Sequence, residues 1–112
     1  MYFHVLLCVS CRIFFEVNSF SFQKKELTDC LKKIPLELIA SVNIIGSASP
    51  DGSKIFNEIL AINRAQAITN ELTKQLPPEI KIYSEGVGVD RFWRRSTVIK
   101  FILKENKNSI LV

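Results

Sequence analysis

The 112-residue chain fits one compact domain and leaves little room for a second. Its 47% hydrophobic and 23% charged residues exclude global disorder, and a chain of this size can bury a real core without a disulfide scaffold. The net charge of +4 permits an anionic partner, but the closest basic groupings are the pairs Lys24-Lys25, Lys32-Lys33 and Arg94-Arg95, not a stripe of the nucleic-acid-binding kind.

Residues 1–9 are largely apolar and Arg12 closes the run, far short of the ~20 residues that a membrane span needs. They show neither a clear basic n-region nor a clear small-residue cleavage site of a signal peptide. Residues 1–11 are therefore either an apolar lead-in that extends the first strand or the remnant of a longer precursor. Cys8 and Cys11 have the spacing of a redox or metal half-site, but the second half-site is missing and the only histidine is His4. With Cys30 the cysteines are odd in number, a poor disulfide framework, and buried inert thiols are the expectation.

Residues 12–17, Arg-Ile-Phe-Phe-Glu-Val, read as a strand because aromatic and β-branched residues suit a pleated surface. Small polar residues come next, and Ser21 is a candidate N-cap. In residues 22–34 the spacing of Leu27, Leu31 and Ile34 predicts one apolar helical stripe, stopped by Pro35. Residues 38–45 read as a second strand that ends at Gly46. Pro50, Asp51 and Gly52 have the chemistry of a tight turn, and Ser53 can cap the start of a helix. A long helix is predicted from Lys54 to about Gln75, with Phe56, Ile59, Leu60, Ala67, Ile68 and Leu72 inward. Leu76-Pro77-Pro78 ends it. Residues 81–83 are strand-like, 85–95 read as a loop freed by Gly86 and Gly88, and 97–103 form the last strand. The expected architecture is α/β (an α+β sandwich), β-α-β-α-β-β, with a mixed sheet and the helices packed on one face.

The segment Ile45-Gly46-Ser47-Ala48-Ser49-Pro50-Asp51-Gly52-Ser53, succeeded by Asn57 and by Asn63-Arg64-Ala65, resembles the central motif of OmpA-like C-terminal domains. Its Ser-Pro-Asp-Gly turn is similar to a variant found in Bacteroidetes-type envelope proteins. The opening strand with its double Phe, and Arg94-Arg95 before the last strand, resemble two further family features. The resemblance covers residues 12–104 and leaves 105–112 as a tail.

That resemblance implies a non-catalytic domain that holds peptidoglycan non-covalently, through the diaminopimelate of its stem peptide. It also implies a periplasmic, outer-membrane-associated location; from the residues themselves no cofactor, metal or transmembrane segment is expected. Diaminopimelate presents an ammonium and a carboxylate on one carbon, so its site needs a cation beside an anion or acceptor. Arg64 matches the family's arginine, whose planar guanidinium can hold a carboxylate through two parallel bonds. From the residues alone, Arg64 lies in line with Leu60 and Ile68, and a structural ion pair or a snorkelling side chain is the competing role. Ser49 stands where the family has its ligand-binding aspartate. Asp51 is either its substitute or a carboxylate serving the turn and the helix start. Asn57 either fixes the turn or touches the ligand. Arg95 either lines the groove or blunts a strand end. Phe92 and Trp93 are either a partner surface or a lid on the core. The alternative function, raised by Ser49, is a degenerate module for protein assembly in the envelope without wall binding. An enzyme is not expected, since no nucleophile–base pair, paired carboxylates or metal spacing is present.

Overall fold

The computed structural model describes residues 8–48, 53–89 and 95–104, with backbone only for residues 88 and 89. The elements are β1 (Cys8–Phe14), α1 (Lys24–Lys32), β2 (Ile39–Ala48), α2 (Lys54–Gln75), β3 (Lys81–Val89) and β4 (Ser96–Leu103), with a 3-10 turn at Leu36–Leu38. The order β-α-β-α-β-β is therefore as expected. The four strands form one sheet in the order β1-β4-β2-β3. β4 runs antiparallel to both β1 and β2, while β2 and β3, joined through α2, are parallel. A hairpin cannot return a strand in parallel, so the helical crossover dictates the mixed sheet.

Strand alternation sends one side chain set to each face. Ile13, Val42, Ile44, Ile99 and Phe101 face the helices and join Leu27, Leu31, Ile34, Ile68 and Leu72 in the core. Each such branched or aromatic side chain contributes about 1.5–3 kcal/mol on burial. The expected stripe of Leu27, Leu31 and Ile34 is thus inward, as predicted.

α2 has the limits that its local signals set. The Ser53 hydroxyl accepts from Phe56 N–H at 3.3 Å and caps the start, and two prolines come after Leu76. Its depth against the sheet comes from two glycines. Gly46 and Gly86 are register partners on β2 and β3. A Cβ on Gly46 would collide with the Ala61 carbonyl and one on Gly86 with Ile62. The paired glycines make a trough in which the helix lies.

The structure corrects several expectations. β1 starts at Cys8, inside the lead-in that could extend the strand, but ends at Phe14, short of Val17. Beyond it the Phe15 N–H donates to the Arg95 carbonyl at 2.7 Å, and Asn18 takes φ of 55°, a left-handed conformation that asparagine tolerates. α1 begins at Lys24 behind Gln23, so Ser21 is not its cap. Cys11 and Cys30 are not inert thiols but a disulfide, with Cα atoms 6.2 Å apart, and Cys8 is an exposed free thiol. Phe56 and Ile59 of α2 face solvent instead of the core. Residues 85–89, expected in a loop, continue β3, because pairing with β2 and contact with α2 require Gly86 in the sheet. The N-terminal residues 1–7, the turn at 49–52, the Phe92-Trp93 loop and the tail expected over residues 105–112 lie outside the described residues.

Candidate functional site

The buried face of α2 changes character along its length. Toward its C-terminal end it carries Ile68 and Leu72. Toward its N-terminal end Asn57 and Arg64, seven residues apart on one side of the helix, interrupt the apolar residues Leu60 and Ala61. Asn57 is buried at the first turn, where its N–H donates to the Ser53 carbonyl at 3.0 Å.

Arg64 is 0% exposed, the largest fully buried side chain of the described residues. A buried guanidinium needs its donors satisfied. Arg64 Nε donates to the Ser19 carbonyl at 2.8 Å, Nη1 to the Ser47 carbonyl at 2.9 Å, and Nη2 to the Glu16 carbonyl at 3.0 Å. The Phe15 ring packs 5.2 Å from the guanidinium carbon, close enough for cation–π attraction. One side chain thus joins the end of β2 to the loop between β1 and α1. Burial lowers the Arg64 pKa, and the neighbouring positive charge of Arg95 lowers it further. Arginine titrates so far above neutrality that it stays cationic here. A guanidinium has five N–H donors, and the three carbonyls take one from each nitrogen, so among the described residues each Nη keeps a second donor.

Near Arg64 the ends of β2 and β4 are polar. Ser47, Ser96 and Thr97 are fully buried, and Ser47 Oγ donates to the Ser96 carbonyl at 3.1 Å. Thr97 Oγ1 is buried and has no hydrogen-bond partner among the described residues. Arg95 is exposed, with φ of 46°. It lines a hollow of about 670 Å³ together with Phe14, Phe22, Glu16 and Glu26, so both signs of charge surround an aromatic floor. The hollow adjoins Arg64 through Phe15 and Glu16, which belong to both.

Of the five residues expected at the site, the structure brings Arg64 and Arg95 close enough to interact electrostatically, and sets Asn57 on the Arg64 face of α2. Ser49 and Asp51 lie outside the described residues. Sequence reasoning missed Glu16, Ser19 and Ser47, whose contributions are backbone carbonyls. Their only sequence signal is position, next to a strand end or in the β1–α1 loop.

No family model and no curated protein matches this sequence. Solved structures do match. An outer membrane protein from Borrelia burgdorferi is 25% identical, with a TM-score of 0.64 over 90% of this chain and 97% of that one. The OmpA-like domain of FopA1 from Francisella tularensis is 19% identical, with a TM-score of 0.57 over 92% of this chain and 82% of that one. The chain has the OmpA-like fold. The peptidoglycan-associated lipoprotein of Burkholderia pseudomallei shares the OmpA-like fold at 17% identity and a TM-score of 0.57, over 83% of this chain and 89% of that one. Within the OmpA-like fold, Arg64 stands where α2, β2 and the β1–α1 loop converge.

Proposed function

We propose that this domain binds peptidoglycan non-covalently, through the diaminopimelate-containing stem peptide, and anchors an outer-membrane or envelope protein to the cell wall. The observation that carries this reading is Arg64. It is a buried arginine, held at the meeting point of three segments in an OmpA-like fold, with a second donor on each Nη that no described residue takes. Its fork takes the ligand carboxylate, Ser49 accepts from the ammonium, and Asp51 adds negative charge beside it. Asn57 supports the turn, and Arg95 borders the approach. Residues 12–104 constitute the binding domain. Because Arg64 is fully buried, ligand entry requires a local opening at this end of the molecule. The chemistry is binding without catalysis.

The likeness to a peptidoglycan-associated lipoprotein supports wall anchoring. The Cys11–Cys30 disulfide supports an oxidising compartment such as the periplasm. A second reading, protein assembly without wall binding, is favoured by Ser49, which supplies no charge where an aspartate would.

Sedimentation with purified diaminopimelate-containing sacculi separates the two. Wall binding requires that the folded wild type sediments, that free diaminopimelate releases it, and that Ser49→Asp increases the bound fraction. A folded wild type and a folded Ser49→Asp variant that both stay in the supernatant would establish the assembly reading instead.

A further inference from the structure

β3 is the last strand of the sheet, and no strand among the described residues lies beyond it. The same flank carries an apolar ridge on α2. Ile55, Ile59 and Ile62 are 70%, 53% and 53% exposed, and their spacing aligns them on one side of the helix. Ile62 lies against Gly86, which puts the ridge above the open edge of β3. At the far end of this flank, Leu76, Pro77, Ile80 and Ile82 line a groove of about 360 Å³. An exposed ridge beside an unpaired strand edge is a surface that soluble domains normally cover.

We propose that its occupant is a second copy of this chain, joined by antiparallel pairing of β3 with β3 about a twofold axis at Tyr83. Three features select the same register. In that pairing Lys81 opposes the second copy's Glu85 and Glu85 opposes its Lys81, so the edge is self-complementary in charge around exposed Tyr83. Gly86 opposes the second copy's Ile80, so Ile62, which covers Gly86, meets the groove that Ile80 lines. The third feature is helix spacing. α2 rests on both Gly46 and Gly86, hence its axis lies about half a strand spacing inside β3. A twofold half a spacing outside β3 sets the two α2 axes two spacings apart, about 10 Å, a normal helix-packing distance. Ridge, groove, charge and backbone edge are thus satisfied together, and the dimer closes because the contact is isologous.

Sedimentation equilibrium of the full chain over a concentration series tests this. The wild type is expected to show a reversible monomer–dimer equilibrium and a melting temperature that rises with concentration, and Ile59→Lys to remain monomeric and to melt like the wild type does at dilutions where the wild type is also monomeric. Lys81→Glu and Glu85→Lys should each weaken self-association about tenfold, and an equimolar mixture of the two should regain it. Opposed residues at the axis lie about 4.5–5.5 Å apart by Cα, within disulfide reach. In a Cys8→Ser background, Tyr83→Cys should therefore oxidise to a covalent dimer while Val87→Cys should not. A wild type monomeric at every concentration overturns the proposal. So does a dimer indifferent to Ile59→Lys and to charge reversal, or one that crosslinks through Val87→Cys and not Tyr83→Cys.

Discussion

The two halves of the buried face of α2 are held by different physics. Ile68 and Leu72 are fully buried among other hydrocarbon side chains. Their stabilisation is non-directional and scales with area removed from water. Arg64, equally buried, sits among backbone carbonyls and is held by three directed bonds. Desolvating a guanidinium is costly, and only good geometry offsets it. The apolar half tolerates a change of shape that keeps volume. The polar half tolerates almost none, and it is the half that carries chemistry able to recognise a ligand.

The largest effect should come from breaking the polar half. Arg64→Ala is expected to lower unfolding free energy by about 4 kcal/mol, because three carbonyls lose a charged donor. The midpoint of urea unfolding at constant m-value would show it. Arg64→Lys keeps the charge but cannot form the fork, and should still lose about 2–3 kcal/mol. If Lys is tolerated as well as Arg, the directional account of this half is wrong.

Next is the ring closed by Cys11 and Cys30, which contains Glu16 and Ser19. On chain-entropy grounds a loop of this length contributes about 3 kcal/mol. Reduction should lower the melting temperature and speed amide exchange in the β1–α1 loop, on the Arg64 side of the comparison. Leu72→Met tests the apolar half and should cost less than about 1.5 kcal/mol, since volume is nearly conserved. The smallest effect belongs to the helix start that both halves share. Ser53→Ala removes the cap to Phe56 and should cost about 1 kcal/mol by the same unfolding assay.

Contrasts of this kind also mark where sequence reasoning reaches. Arg64 stood out because a charge in line with Leu60 and Ile68 wants a partner. What it bonds to could not be read, since every residue carries a carbonyl and only the fold selects those of Glu16, Ser19 and Ser47. Phe56 and Ile59 were expected inside because α2 has apolar residues on two flanks. Periodicity finds an apolar stripe, but it does not say which of two stripes meets the sheet. Of these two, Ile59 belongs to the ridge at the proposed dimer contact.

Sequence alone determined the order of the elements, the limits of α2 and the apolar strands at the sheet centre. Capping by Ser53, chain breaking by Pro77-Pro78 and alternation in a strand are local effects, acting within a few residues of their cause. Tertiary structure decided the rest. It joined Cys11 to Cys30, carried β3 through Gly86 and Val87, chose the inner flank of α2 and gave Arg64 its partners. Each of these depends on groups far apart in the chain, brought together only when the helices close over the sheet.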